Sequence, residues 1–387
     1  MLLDFLQKNK KRLVLIFTAL VVVLVIFGLV KIVMAPANGI KDFFNNQELS
    51  ANNALDIKEQ SDLTINSLPE IKDQEITIIF TGDIMLSRTV NSKMEHADDY
   101  SWPFLNIYEN LNKADLVVGN LESPFLKNTN YQVLTGSFSF KANPLSVAGL
   151  KLANFGLLSL ANNHTLNQGQ QGIADTQEIL KENGMSFIGA GLNEEEARKP
   201  AIINIKGYNF AFLGYAYPDD GSVATKKRAG IANMDVEKMK NDINLLKNAT
   251  NTPDFIVILM HAGTEYVLEP NWQQKEFARA AIDAGVDLVV GHHPHWPQSF
   301  EFYQDKPIIY SLGNFVFDQM WSEEVRQGLL LELSWQNGIK SLKLIPTKIY
   351  NYGQVKILDE TVEVENKERL EILEKIGVTN DGMIFRR

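Results

Sequence analysis

The chain has 387 residues, of which 45% are hydrophobic and 22% are charged, a composition that suits one large globular domain or two smaller ones. Lysine and arginine number 37 against 47 aspartates and glutamates, and the net charge of −10 argues against nucleic acid as a partner. Because the chain contains no cysteine, disulfide bonds, thiolate metal sites and cysteine nucleophiles are excluded.

The first apolar segment of the chain is long enough to cross a membrane. Residues 13–30 are uncharged, and as a helix they would span roughly 27 Å, close to the hydrocarbon thickness of about 30 Å. Four basic residues lie within 8–12 and only Lys31 follows, so the positive-inside rule places residues 1–12 in the cytoplasm. The sequence therefore predicts a single-pass anchor at 13–34 in the cell membrane and an extracytoplasmic folded domain.

The segments that follow this anchor define the predicted domain organisation. A cleaved signal peptide is the alternative to an anchor, since Ala-Pro-Ala at 35–37 offers small residues for cleavage, but its apolar part would exceed the usual length of about 7 to 15 residues. Residues 35–74 are polar, with little apolar periodicity, and predict a flexible tether. We predict a folded domain at 75–350 and a C-terminal extension with a short helix at 351–387.

From Glu75 onward, apolar strands alternate with polar turns and helices. Strands that end in a polar turn are predicted at 76–80, 116–118, 156–160, 255–260 and 286–290. Helices are predicted at 173–181, 236–246, 272–284 and 367–376, and a hairpin at 201–205 and 210–215. This alternation predicts an α/β fold with a largely parallel central sheet. Strands at 327–335 and 339–349 are expected to form a second, antiparallel sheet packed on the first.

Polar side chains gather at the ends of these predicted strands, where ligands bind in open α/β sheets. The set is Asp83, Asn120, Glu122, Asn163, His164, His261, Glu265, His292, His293, His295 and Asn314. Taken singly, each residue has a structural explanation, such as a turn former or a hydrogen-bonded core histidine. Together, oxygen and imidazole donors without sulfur predict a site for one or two divalent ions of manganese, iron or zinc.

Such a site would perform hydrolytic chemistry. Two divalent ions about 3.5 to 4 Å apart can clamp an in-line displacement at phosphorus, and His164 would then protonate the leaving group. Because the same ions also serve acyl transfer, the residues leave open whether the scissile bond is a phosphoester or an amide.

An ordered series of motifs resembles the CapA family of bacterial capsule-synthesis proteins. The motifs are Gly82-Asp83-Ile84-Met85-Leu86-Ser87-Arg88, Asn120-Leu121-Glu122, Asn162-Asn163-His164, His261 with Glu265-Tyr266, Gly291-His292-His293-Pro294-His295 and Ser311-Leu312-Gly313-Asn314-Phe315. The resemblance covers about residues 75 to 350 and implies a role in making or exporting poly-gamma-glutamate, with other capsule-synthesis membrane subunits as partners. The family is similar to the calcineurin-like metallophosphoesterases, which implies a two-sheet sandwich flanked by helices.

The resemblance also implies roles for individual residues. The implied metal ligands are Asp83, Glu122 in place of the bridging carboxylate, Asn163, His261, His293 and His295. His164 resembles the catalytic acid beside the asparagine ligand. Arg88 and Asn314 are candidates for holding an anionic substrate, and a supporting position behind the ligands is expected for Asn120, Glu265 and His292.

Two departures from the phosphoesterase pattern affect the predicted metal site. Met85 stands where the pattern has a histidine, two residues after the first aspartate, so one of the two metal sites loses a ligand. The turn at 291–295 is one residue longer than Gly-His-x-His. We align His293 and His295 with the ligand pair, and His292 with His295 is the alternative.

Three functions are compatible with these residues. The first is a membrane-anchored, metal-dependent hydrolase that acts on an anionic polymer or a phosphorylated substrate in capsule or poly-gamma-glutamate assembly. The second is a non-catalytic polymer-handling or assembly subunit with a degraded metal site. The third is a general phosphodiesterase or nucleotidase, and the acidic net charge argues against long nucleic acid as its substrate.

Overall fold

The structure is a computed structural model that describes residues 74–128, 138–219 and 221–386. The predicted cytoplasmic segment 1–12 and the predicted anchor 13–34 lie outside the described residues, as does nearly all of the predicted tether. Within the described ranges, no helix has both the length and the apolar character needed to cross a membrane.

The elements of the described ranges alternate between strands and helices. In chain order the strands are β1 (Ile76–Ile84), β2 (Leu116–Leu121), β3 (Phe155–Ser159), β4 (Ser186–Ile188), β5 (Ala190–Gly191), β6 (Ala201–Ile205), β7 (Tyr208–Ala216), β8 (Gly230–Ile231), β9 (Phe255–His261), β10 (Leu288–His292), β11 (Phe300–Tyr303), β12 (Lys306–Ile309), β13 (Asn314–Val316), β14 (Gln327–Trp335), β15 (Ile339–Tyr350), β16 (Gln354–Ile357) and β17 (Met383–Arg386). The α-helices are α1 (Arg88–Ala97), α2 (Tyr108–Leu111), α3 (Val147–Leu152), α4 (Gly169–Glu182), α5 (Glu194–Ala197), α6 (Val236–Lys247), α7 (Trp272–Ala284) and α8 (Glu363–Lys375). Short 3-10 turns lie at Trp102–Phe104, Pro144–Ser146 and Glu324–Arg326.

These strands form two large sheets. The larger has the order β16-β15-β14-β1-β2-β3-β4, with β13 also paired to β1 and β17 to β15. The smaller has the order β11-β12-β10-β9-β7-β6, and β5 and β8 form a separate pair. Strands β1 to β4 are parallel, and so are β7, β9, β10 and β12, as the alternation of strands and helices predicted.

The position predicted for the long C-terminal hairpin was wrong. Strands β14 and β15 were expected to build the second sheet, but β14 pairs antiparallel with β1, placing Trp335 opposite Ile76. Alternate leucines of β14, including Leu331 and Leu333, face the smaller sheet and are fully buried there. The hairpin therefore extends the larger sheet, and the second sheet is built by β6, β7 and β9 to β12.

The core lies between the two sheets. Ile78 and Phe80 of β1 face this interior, where they pack in one cluster with Phe210, Val257 and Val290 of the smaller sheet. Because side chains alternate along a strand, Ile79 points to the opposite face, which α1, α3 and α4 cover. On the other side, α6 and α7 cover the outer face of the smaller sheet. The described residues thus form the predicted two-sheet sandwich flanked by helices.

Helix α7 illustrates how the sequence sets the position of the next strand. The Asn271 side chain accepts from the Gln274 backbone N–H, and the Gln274 side chain accepts from that of Asn271, which forms a capping box at the N-terminus. Gly285 ends the helix in the left-handed conformation at φ 108°. The predicted bounds of this helix, 272–284, are confirmed, and β10 follows it to the edge of the sandwich.

The segment predicted as a C-terminal extension is part of the same fold. Strands β16 and β17 both pair with β15, and α8 places Ile372 and Leu373 in the core between the sheets. The chain therefore has no structural boundary at residue 350.

We expect Leu373→Ala to lower the free energy of unfolding by about 3 kcal/mol, because it removes a fully buried side chain and leaves a cavity. Urea denaturation followed by circular dichroism measures this change. Glu371→Ala, on the exposed face of the same helix, should change it by less than about 0.5 kcal/mol. Equal effects of the two substitutions would contradict a core role for α8.

Candidate metal centre

The carboxyl ends of several parallel strands meet at one edge of the sandwich. Asp83 near the end of β1 lies opposite Asn120 of β2, and His292 at the end of β10 lies opposite His261 of β9. The two sheets are joined here because Nε2 of the buried His292 donates to the carbonyl oxygen of Thr81, at 3.0 Å. The predicted strand-end residues are thereby brought to one place, and His292 lies between the sheets as a supporting residue.

Asp83, Glu122 and His295 form a buried group that could hold a metal ion. One ligand atom from each residue lies within 4.8 Å of the others, and all three side chains are buried. Among the described residues, Oε2 of Glu122 has no hydrogen-bond partner, although Glu122 is fully buried. Because a buried carboxylate oxygen without a partner is costly, a bound cation would stabilise this arrangement. The oxygen and imidazole donors fit a divalent metal.

The remaining predicted ligands lie near Glu122 as well. Nε2 of His261 is 3.0 Å from Oδ1 of Asn163, and Nδ1 of His261 is 3.8 Å from Oε1 of Glu122. The ring of His293 lies 4.7 Å from that of His261, centroid to centroid. Its backbone N–H also donates to Asp83. Glu122 is therefore close both to Asp83 and His295 and to His261.

Asn120 links the two groups from behind. Its Nδ2 donates to Oδ1 of Asp83 at 2.8 Å and lies 3.1 Å from Nδ1 of His261 and 3.4 Å from Oε1 of Glu122. Its Oδ1 accepts from Nδ2 of Asn162 at 3.2 Å. Since Nδ2 is the donor toward His261, Nδ1 of that imidazole holds a lone pair. The amide of Asn120 thus contacts both carboxyl groups and His261.

The ring of His164 lies at the opening of this centre with a defined orientation. Its Nε2 is 4.0 Å from Oε2 of Glu122, and its ring stacks on Phe140 with centroids 4.0 Å apart. Oδ1 of Asn167 accepts from the Phe140 backbone N–H, so it must also act as acceptor for Nδ1 of His164, 3.1 Å away. The Nδ1 atom therefore carries the ring proton, and Nε2 has the lone pair.

The two buried carboxyl groups differ in their affinity for a proton. Burial, together with the negative charge of Asp83, raises the pKa of Glu122 well above its usual value of 4.5. Burial also acts to raise the pKa of Asp83, but the hydrogen bond from His295 and the charges of neighbouring histidines hold that pKa below its usual value. Without a cation, one proton therefore resides on Glu122 while Asp83 is ionised.

Several histidines of the centre are neutral at pH 7. Burial lowers the pKa of His261 well below 6.5, and it lowers the pKa of His164 and of His293 to about 4. Neutral imidazole is the form that binds metals, so this environment favours coordination over protonation.

A groove of about 570 Å³ opens beside the centre. It is lined by Arg88, Thr89, Phe138, Tyr266, Asp318, Gln319 and Trp321. Arg88 forms an ion pair with Asp318, and its guanidinium lies 4.7 Å from the Phe140 ring centroid and 5.7 Å from that of Phe317. Asp318 also accepts from the Thr89 backbone N–H at the start of α1. The predicted substrate-binding Arg88 thus lines the groove in a fixed direction.

Two predicted positions differ in the structure. Asn314, expected to contact substrate, is fully buried, and both of its side-chain polar atoms form hydrogen bonds within the protein. Glu265, expected behind the ligands, is exposed, because the chain turns toward solvent after His261 and Ala262. Asn314 is therefore better suited to orienting His295, and Glu265 lies at the rim.

Met85 provides no ligand to the centre. Its side chain is fully buried in the cluster beneath α1, and its Sδ accepts from the Ser87 backbone N–H at 3.1 Å. A methionine at this position therefore packs in the core, whereas the phosphoesterase pattern has a histidine there.

The sequence analysis did not identify every residue of the centre. Asn167 lies one turn after His164, so its spacing offered a signal. Asp318 and Gln319 lie two and three residues after the end of β13 and could have been included as strand-end residues. Phe140 gave no signal, because it lies outside the strands and helices.

In metal-free protein, we expect Glu122→Gln to be more stable than wild type at pH 8 by roughly 1 to 3 kcal/mol. The pKa of Glu122 is raised in the folded state. Protonated Glu122 therefore makes its full contribution to the free energy of unfolding below about pH 4.5, and this contribution is lost as the pH rises through the folded-state pKa. Glutamine has no such proton to lose, and the difference should grow from pH 5 to pH 8.

Urea denaturation in the presence of a chelator, repeated at several pH values, measures this difference. Glu371→Gln is the matched control, since Glu371 is exposed on α8 and its substitution should show no such trend. A difference between Glu122→Gln and wild type that does not change with pH would contradict the assignment of the proton to Glu122.

Known proteins resemble this chain across the whole candidate centre. Residues 77–319 match the model of the family described as bacterial capsule synthesis protein PGA_cap. The chain is 34% identical over 283 residues to the capsule biosynthesis protein CapA of Bacillus anthracis, covering 72% of this chain and 68% of that protein. It is 33% identical over 287 residues to the PGA biosynthesis protein CapA of Bacillus subtilis strain 168, covering 73% and 74%. A probable polyglutamine synthesis accessory protein of Mycobacterium tuberculosis H37Rv is 29% identical over 253 residues, covering 62% and 65%.

Proposed function

The chain belongs to the bacterial capsule synthesis protein family, and we propose that it is a divalent-metal-dependent hydrolase acting in capsule or poly-gamma-glutamate assembly. The observation that carries this proposal is the buried group of Asp83, Glu122 and His295. Within the described residues, one carboxylate oxygen of this group lacks any hydrogen-bond partner, which a cation would supply. Manganese, iron and zinc all suit these donors.

The residues that would hold the metal follow from their positions around Glu122. Asp83 and His295 lie on one side, and Asn163, His261 and His293 would complete a second position if two ions bind. A divalent ion bound there would polarise a phosphoryl or carbonyl oxygen of the substrate and activate a water for attack. The positive charge of the ion would offset the negative charges of Asp83 and Glu122, and Glu122 would release its proton when the ion binds.

His164 is the residue that would move a proton. Its Nδ1 is held by Asn167 and its ring by Phe140, so the lone pair on Nε2 stands 4.0 Å from Glu122 in the centre. Burial keeps the pKa of His164 at about 4, and the negative charge of a bound substrate would raise it. Protonated Nε2 would then donate to the leaving group.

Arg88 is proposed to bind the anionic part of the substrate. Its guanidinium lines the groove next to the centre, and Asp318 with two aromatic rings fixes its direction. A guanidinium that is held in place loses little conformational entropy when it binds a carboxylate or phosphate. This arrangement suits an anionic polymer or a phosphorylated substrate.

The proposal places the folded domain outside the cytoplasm, with residues 13–34 as a membrane anchor. Other membrane subunits of capsule synthesis are the proposed partners.

A non-catalytic role in handling the polymer is the second candidate, and Met85 favours it. The buried methionine removes a ligand that the phosphoesterase pattern supplies, so the centre could retain its fold without full catalytic activity.

Elemental analysis of the full-length chain, purified in mild detergent, is expected to find manganese, iron or zinc. The metal-free protein should regain a divalent ion with micromolar or tighter affinity, while Asp83→Ala should bind it at least tenfold more weakly because a charged ligand is lost. Glu371→Ala, an exposed acidic residue on α8, is the control. If wild type holds no metal and takes up none at micromolar concentrations, the hydrolase proposal is wrong.

His164→Ala is expected to lower turnover by about 10²- to 10⁴-fold while metal content stays unchanged, since the residue moves a proton and does not hold the ion. Hydrolysis of bis(4-nitrophenyl) phosphate and of poly-gamma-glutamate distinguishes phosphoester from amide cleavage. His96→Ala, an exposed histidine on α1, is the control. If His164→Ala supports normal polymer production in cells while deletion of the protein abolishes it, the non-catalytic role is correct.

A further inference from the structure

Asn314 connects the metal ligand His295 to the protein interior. Its Oδ1 lies 2.9 Å from Nδ1 of His295, and its Nδ2 donates to the carbonyl oxygen of Val325 at 2.9 Å and to Oε1 of Gln319 at 3.0 Å. Asn314 is the first residue of β13, which pairs with β1 beside Asp83, so its backbone is held in the larger sheet. The amide is therefore fixed at both its backbone and its side chain.

These contacts determine which end of the Asn314 amide faces the histidine. A backbone carbonyl can only accept, so the atom next to Val325 has to be the nitrogen of the amide. The oxygen then faces His295 and can only accept in turn. The second neighbour of Nδ1 is Oδ2 of Asp83, at 3.5 Å, which is also an acceptor. Both neighbours therefore require a hydrogen on Nδ1.

We propose that Asn314 is a positioning residue that holds His295 in the tautomer with hydrogen on Nδ1. Neutral imidazole carries one ring hydrogen, so Nε2 is left as the nitrogen that can bind a metal. The inference rests on the proposed metal-dependent function, and it replaces the expected substrate contact of Asn314 with a role exerted through His295. Asn167 fixes the ring of His164 by the same kind of contact.

Gln319 supports Asn314 from the side of the groove. Its Oε1 accepts from Asn314, and its Nε2 donates to the hydroxyl of Tyr266 at 3.1 Å. The Tyr266 ring in turn lies nearly parallel to the His295 ring, with centroids 5.8 Å apart and planes at 25°. The orientation of the metal ligand is thus maintained from two directions, by a hydrogen-bond chain and by ring stacking.

The tautomer can be measured directly. In metal-free, full-length protein labelled with ¹⁵N-histidine, long-range ¹H–¹⁵N correlation spectra report which ring nitrogen carries hydrogen, and His295→Gln assigns the signals. Wild type should show hydrogen on Nδ1 of His295. Asn314→Asp keeps an acceptor at this position and should preserve that tautomer, whereas Asn314→Leu should give a mixture. A wild-type spectrum with hydrogen on Nε2 overturns the proposal.

Calorimetric titration with Mn²⁺ alone gives an independent readout. Asn314→Leu should weaken binding by about 10- to 100-fold, as removal of a partner behind a ligand usually does. Asn314→Asp keeps the acceptor toward His295 but loses the donor toward Val325, so it should bind Mn²⁺ more tightly than Asn314→Leu and more weakly than wild type. Gln319→Leu should have a smaller effect than Asn314→Leu because Val325 still holds Asn314. Thermal unfolding of the metal-free variants identifies any that do not fold.

Equal Mn²⁺ affinity of wild type and folded Asn314→Leu would show the proposal to be wrong. If wild type binds no metal, the proposed hydrolase function fails instead, and the tautomer spectrum alone decides the role of Asn314. The two failures are therefore distinguishable.

Discussion

Two carboxyl groups, Asp83 and Glu122, are buried beside each other, and much of the surrounding structure compensates for them. Two negative charges cannot share a dry site without a proton or a cation between them. The protein supplies an amide hydrogen from Asn120 and keeps the nearby imidazoles of His261 and His293 neutral. These groups lower the cost of the buried charge, and they leave the centre ready to exchange a proton for a metal ion.

Three asparagines determine which ring nitrogen of the neighbouring histidines carries hydrogen. Asn120, Asn167 and Asn314 each have one end of the amide fixed by another group of the protein, so each presents a defined donor or acceptor to a histidine. As a result, each of these imidazoles has its lone pair on one defined nitrogen even when no ligand is bound. Asn120 and Asn314 lie on strands and Asn167 lies in the turn before α4, so these amides are held by the regular elements of the fold.

The sequence allowed prediction of the α/β alternation and of a polar cluster at the strand ends. Both depend on local properties of the chain, namely the spacing of apolar residues and the position of polar residues after each strand. It did not reveal which edge of β1 would accept β14, since alternation identifies the buried face of a strand but not its neighbour. It also did not reveal the pairing of Arg88 with Asp318, which are separated by 230 positions. The sequence placed Asn314 near the centre but did not show that its side chain points into the protein, because a motif does not specify where a side chain points.

Strand β1 crosses the sandwich from Ile76 at one edge to Ile84 at the candidate centre. Nine residues in extended conformation cover about 27 Å, so the end at which the described chain begins is far from the metal ligands. The start of β1 and the candidate centre are therefore held apart by the full length of one strand, which is paired with β14 and β2 on its two edges.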